Sequence, residues 1–293
     1  MRAMDLPVVV GVDGSEPSLR AVDWAADEAV LRGAPLRLVY ASLWERYEGT
    51  SLAENLAKPD EQVRAEDVVD NAARRARRRQ PELDVSAEVL AEEPEYALVR
   101  ESRTASLLVT GTRGRSGLAE ALLGSVSLFV AGHAQCPMVV VRGNHDNQAP
   151  TGTHGRVVVG VGEKPAGSAA VRFAFEEAQR RGVPLEAVRA WRWPAHESTD
   201  HPLMAGEPAR LHEQRAAEAL AAALQDAPAT VESHGRTTEG HTRTVLVDAS
   251  RDAGLLVVGA KRRPGHYGLQ LGRVAHGVLH HSTCPVVIVP ERM

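Results

Sequence analysis

Short valine- and leucine-rich runs alternate with longer stretches of helical periodicity along this chain. The first run, Val8 to Val12, ends in Asp13-Gly14-Ser15 and predicts a buried strand followed by a turn. A helix follows, with Pro17 and Ser18 as start signals, Gly33 as the stop and a core face of Leu19, Val22, Ala25, Ala26 and Ala29. Leu36 to Ala41 predicts a second strand, and Trp44 to Pro59 an irregular polar stretch. Then come a long helix over Glu61 to Gln80, a strand over Val85 to Leu90, and a short helix after Pro94. Leu107 to Thr110 reads as a fourth strand, and Met138 to Arg142, set off by Cys136-Pro137, as a fifth. Between them lies a helix from Gly124-Ser125 carrying Val126, Phe129, Val130 and His133.

The pattern then restarts. Val157 to Val161 repeats Val8 to Val12, and Arg181-Gly-Val-Pro-Leu185 repeats Arg32-Gly-Ala-Pro-Leu36. Gly160 follows Gly11, and Gly182 follows Gly33, by 149 residues in each case; Cys284 follows Cys136 by 148. The chain is therefore two copies of one alternating strand–helix unit, each large enough to be a domain. The polar Gly- and Pro-containing segment 144–155 is the linker. The expected domains are residues 1–143 and 156–293. Strands alternating with helices predict α/β domains with doubly wound parallel sheets.

Composition narrows the picture. Apolar residues make up 43% of the 293 residues and aromatics only 4%, so the cores rest on Val, Leu and Ala. That suits parallel strands buried on both faces. A net charge of −4 offers no general attraction to nucleic acid or to an anionic membrane. No apolar run is long enough to span a bilayer, and the start has no apolar signal segment. Two cysteines without metal-ligand spacing fit a reducing cytoplasm.

The candidate chemistry centres on Leu107 to Ser125. A strand turns at Gly111 and Gly114, and Gly124-Ser125 opens the next helix. Glycines let backbone N–H groups approach a ligand, and a helix start offers unpaired N–H groups and a favourable dipole. Together these suit an anion, most simply phosphate. The spacing is neither a Walker A loop nor the dinucleotide fingerprint. The same glycines also serve as plain turn formers. In a parallel sheet, ligands bind beyond the strand C-termini at the switch in strand order. With strands one and four as neighbours, Asp13 and Gly111 face each other across that crevice.

At these residues the chain resembles the tandem form of the universal stress protein family. The carrying motif is Gly-x2-Gly-x9-Gly-Ser, here Gly111, Gly114, Gly124 and Ser125, together with the Val-Asp-Gly-Ser after strand one. The resemblance implies five-stranded sheets of order 3-2-1-4-5, like the adenine nucleotide alpha hydrolase fold, binding ATP with Mg²⁺ or Mn²⁺. It implies Asp13 at the adenine or ribose end, and Val12 and Ala41 lining the base. Gly111, Thr112, Gly114, Gly124, Ser125 and Val126 would cradle ribose and phosphates, with Ser127 as a further hydroxyl. A homodimer acting as a nucleotide-responsive regulator of stress tolerance is the implied function. No general base and no P-loop lysine is evident, so no enzyme is expected beyond slow, incidental ATP hydrolysis. Three alternatives stay open: a slow metal-dependent ATPase or phosphotransfer enzyme, a nucleotide-independent dimerising module, and a site for a cyclic nucleotide.

The second copy departs from the motif. Gly160, Gly259 and Gly272 persist, but Asp13 is matched by Gly162, Gly114 by Arg262 and Ser125 by Arg273. A degenerate second site is expected, with Arg273 filling the anion position itself or binding another anion. The basic run Arg74 to Arg79 ends a helix and is offset by Glu66, Asp67 and Asp70, so nucleic-acid contact is not expected. His276 and His280 have a spacing that can hold a metal, yet no ligand from a second segment joins them, and no metal is expected. Trp44 and Trp191 follow equivalent strands, and their role stays open.

Overall fold

The computed structural model describes residues 6–43, 60–112, 123–142, 155–163, 167–192, 207–261 and 271–291. The chain divides into two compact units, the first within residues 1–148 and the second beginning at Ala149. The linker segment lies outside the described residues except for Gly155.

In the first unit, strand β1 (Val8–Gly11) leads into helix α1 (Glu16–Arg32) and strand β2 (Leu36–Ala41). Helix α2 (Asp60–Arg79), strand β3 (Val85–Leu90) and helix α3 (Pro94–Glu101) follow. Strand β4 (Leu107–Gly111), helix α4 (Ser125–His133) and strand β5 (Met138–Val141) complete it. The strands lie parallel in the order β3-β2-β1-β4-β5. The chain order reverses beside β1, so a crevice opens between the ends of β1 and β4. Val8, Val10, Leu36, Leu38, Leu107 and Leu108 are fully buried, as expected of strands covered on both faces.

Helix α1 starts at Glu16, with Ser15 as its cap and Pro17 in its first turn. Its C-terminus closes on Gly33, held at φ 63°, whose N–H bonds back to the last turn. Val22, Ala25, Ala26 and Ala29 of the predicted core face are buried, Leu19 is only half-buried, and Trp24 joins the buried face. The basic run of α2 finds its partners on α1. Arg75 grips Asp23 at 2.6 and 2.8 Å, and Arg79 grips Asp27 at 2.7–2.9 Å. Hydrogen bonding to Asp23 holds the Arg75 guanidinium above even its ordinary high pKa. These arginines fasten two helices together.

The second unit repeats the plan. It comprises β6 (Val157–Gly160), α5 (Ala169–Arg181), β7 (Leu185–Trp191), α6 (Glu207–Leu224) and β8 (Ser233–Glu239). Helix α7 (Thr242–Ala249), strand β9 (Leu255–Lys261), helix α8 (Arg273–His281) and strand β10 (Val286–Glu291) complete it. Its strands pair in parallel as β8-β7-β6-β9-β10, which is again 3-2-1-4-5. Small details repeat too. A Cβ at Gly11 would meet Leu98 Cδ1 at 2.9 Å, and one at Gly160 would meet Leu246 Cδ1 at 2.9 Å. Buried Glu28 pairs with Arg32 at 2.7 Å, and buried Glu177 with Arg181 at 3.2 Å. Both cysteines are buried and in no disulfide.

The two units differ at the start of their first helix. Helix α5 has 13 residues where α1 has 17, and it starts at Ala169 with Ser168 as its cap. Strand β10 runs on to Glu291.

Candidate functional site

The Asp13-Gly14-Ser15 turn is closed by its own side chains. Asp13 Oδ1 accepts the Ser15 N–H at 2.9 Å and the Ser15 hydroxyl at 2.6 Å. Gly14, at φ 80°, supplies the left-handed backbone that this tight turn requires. Ser15 Oγ in turn accepts the Ser18 N–H at 3.4 Å, and Ser18 Oγ donates to the Ser15 carbonyl at 2.9 Å. Asp13 is thereby fixed at the mouth of β1.

Across the crevice, β4 ends at Gly111. A Cβ there would lie 2.5 Å from the carbonyl oxygen of Pro17, in the first turn of α1. Only glycine permits that close approach. Thr112 is buried, and its carbonyl accepts the Gly124 N–H at 2.6 Å, which ties the end of β4 to the start of α4. Gly124 caps α4 without any side-chain hydrogen bond, at φ −71° and ψ 154°. The first-turn N–H groups of α4 thus face the crevice. Ser127, one turn in, donates its hydroxyl proton to the Gly111 carbonyl at 2.9 Å.

These pieces enclose a cavity of about 510 Å³. Asp13, Ser15 and Ser18 line one side, and Gly124, Ser125, Val126 and Ser127 the other. Its apolar wall is Val12, Val39, Ala41, Pro94 and Leu98. Of the residues predicted from sequence, Val12, Asp13, Ala41, Gly111, Gly124, Ser125, Val126 and Ser127 border this cavity. Thr112 does not border it, and Gly114 lies outside the described residues. Ser15, Ser18, Val39, Leu98 and Thr110 also border it and escaped the sequence reading. Thr110 could have been found by setting the two copies side by side, because Val258 stands at its place in the second.

In the second unit Gly160 ends β6, and Gly162 lies in open space. Gly272 caps α8, and Arg273, its first residue, is exposed. Arg262 lies outside the described residues. A different side chain fills the room over Gly259: a Cβ there would lie 2.8 Å from Glu291 Oε1 and 3.0 Å from its Cγ. Glu291 Oε1 accepts the Ser168 hydroxyl at 2.6 Å and the Ala170 N–H at 3.2 Å, and Oε2 accepts the Ala169 N–H at 3.4 Å. The carboxylate therefore occupies the start of α5. On α8 the rings of His276 and His280 sit 4.5 Å apart. No group of three or more metal-ligating side chains occurs among the described residues. No helix among them is long and apolar enough to cross a membrane.

Fold and crevice define a tandem doubly wound α/β protein with a cleft beyond β1 and β4. The universal stress protein family model matches residues 6–142 and 153–290, and the chain belongs to that family in its tandem form. A universal stress protein of Mycobacterium tuberculosis is 32% identical to this chain over 97% of both sequences. One from Mycolicibacterium smegmatis is also 32% identical, over 99% of both. The solved structure of a universal stress protein from Archaeoglobus fulgidus covers 98% of each chain, with a TM-score of 0.68 at 18% identity, so the fold is shared.

Proposed function

We propose that the first domain binds ATP in the Asp13–Ser125 cavity and that the chain acts as a nucleotide-responsive regulator of stress tolerance. One observation carries this reading. A cavity of about 510 Å³ has a fixed carboxylate at one side, an uncapped helix N-terminus at the other and an apolar wall between them. That volume lies within the range of small-molecule sites, roughly 300–1,000 Å³. A purine base packs against Val39, Ala41 and Pro94, and Asp13 accepts hydrogen bonds from the nucleoside. The phosphates meet the N–H groups of Ser125 and Val126, where the helix dipole favours negative charge.

The helix end offers N–H and hydroxyl groups but no carboxylate among its described residues. A Mg²⁺ or Mn²⁺ ion would therefore ride on phosphate oxygens. Asp13 is the one titratable side chain among the described lining residues, and its Oδ1 is already engaged by Ser15. That supports binding without efficient hydrolysis. Buried Cys136 and Cys284 suit a reducing cytoplasm. Self-association as a homodimer belongs to the same proposal, and sedimentation velocity tests it.

The decisive experiment is to denature freshly purified protein and quantify the released nucleotide per chain, then to titrate stripped protein with ATP and with cyclic AMP. About one ATP per chain, lost in Asp13→Ala, supports the reading. Two per chain would overturn the asymmetry between domains. Preference for cyclic AMP would change the ligand, and no binding to either would make the dimerising module the better reading.

A further inference from the structure

Among the described residues, one buried side-chain polar group bordering the cavity has no partner. Thr110 borders it, is only 4% exposed, and its Oγ1 has no hydrogen-bond partner among the described residues. Buried hydroxyls are nearly always paired, because an unpaired one forfeits its hydration without return. The other buried hydroxyls bordering the cavity are engaged: Ser18 Oγ donates to the Ser15 carbonyl and Ser127 Oγ to that of Gly111.

The register shows where Thr110 points. β1 and β4 pair with Val10 opposite Val109, which sets Thr110 beside Gly11. Gly11 has no side chain, and Leu98 of α3 closes over its face. The cavity floor thus runs across neighbouring strands as Val39, Gly11 and Thr110, with Thr110 as its hydroxyl. The two copies point the same way. Where the first domain has Asp13, Thr110, Ser125 and Ser127, the second has Gly162, Val258, Arg273 and Ala275. The Thr110 hydroxyl disappears together with the other polar side chains of the site.

We infer that Thr110 is a ligand-binding residue whose hydroxyl bonds a ribose hydroxyl of the nucleotide. This rests on the nucleotide reading above and extends it. The base lies toward β2, against Val39 and Ala41, and the phosphates lie at α4. Thr110, on β4 beside β1, faces the part between them, which is the sugar.

The test is calorimetric titration of the full chain, as parent, Thr110→Val and Thr110→Ser, with ATP, 2′-deoxy-ATP and 3′-deoxy-ATP. The parent is expected to lose about tenfold in affinity for the analogue lacking the bonded hydroxyl, as befits one hydrogen bond. Thr110→Val is expected to bind ATP about tenfold more weakly and not to distinguish that analogue from ATP. Thr110→Ser retains the discrimination. Without ligand, Thr110→Val melts at or above the parent temperature, since it removes an unpaired buried hydroxyl of the same shape. Undiminished ATP affinity in Thr110→Val would overturn the inference while leaving the nucleotide reading intact. Equal losses for all three nucleotides would overturn the sugar assignment. A parent that binds none of them would overturn both readings.

Discussion

Glu291 accepts a 2.6 Å hydrogen bond from Ser168, the residue that caps the first helix of the second domain. The first domain holds its own version of this contact, 2.6 Å from Ser15 to Asp13, at the start of α1. The carboxylate has changed its origin, from the end of strand one to the end of strand five. In the first domain Pro17 in the first turn of α1 covers Gly111, whereas in the second Glu291 covers Gly259. Glu291→Ala is expected to cost about 1–2 kcal/mol, the usual worth of a helix N-terminal cap and its charge. Urea unfolding and faster hydrogen exchange at the Ala169 and Ala170 amides would register it. ATP affinity in the first domain is expected to stay unchanged.

The cleft glycines divide into those with no room and those with room to spare. Gly111→Ala drives a Cβ to 2.5 Å from the Pro17 carbonyl, a backbone atom that cannot swing away. A loss of about 1–3 kcal/mol and weakened nucleotide binding are expected. Gly162→Ala meets nothing within 4 Å and has no positive φ, so it is expected to be neutral. Thermal melts of the two variants side by side would separate these outcomes.

Asp13 and Arg273 bracket the difference between the two sites. Asp13→Ala removes the carboxylate that closes the turn with Ser15, and is expected to abolish most ATP binding. Arg273→Ala changes an exposed first residue of α8 and is expected to leave it intact. Titration of both variants checks this, and equal losses would refute a single competent site.

Glu28 is fully buried and pairs with Arg32 at 2.7 Å. Glu28→Ala leaves the Arg32 charge without this carboxylate against the core, and is expected to cost about 3 kcal/mol. Glu177→Ala is expected to cost a similar amount in the second domain, because Glu177 holds both Arg180 and Arg181. Denaturant midpoints would show each loss, with nucleotide binding by the folded fraction unaffected in the Glu177 variant.

The alternation of strand and helix, the repeat at an offset of 148–149 residues and the glycine spacing were all legible in the chain, because period, turn chemistry and motif spacing are local properties. They sufficed for the parallel α/β class and for Asp13, Gly111, Gly124 and Ser125. Tertiary structure alone decided what lies far apart in sequence. It placed Thr110 beside Gly11 through strand register, and joined Arg75 and Arg79 of α2 to Asp23 and Asp27 of α1. It also brought Glu291 back to Ser168, 123 residues away. No local pattern encodes such contacts. They arise because an open helix N-terminus and a buried charge each need a partner, and packing determines which side chain comes within reach.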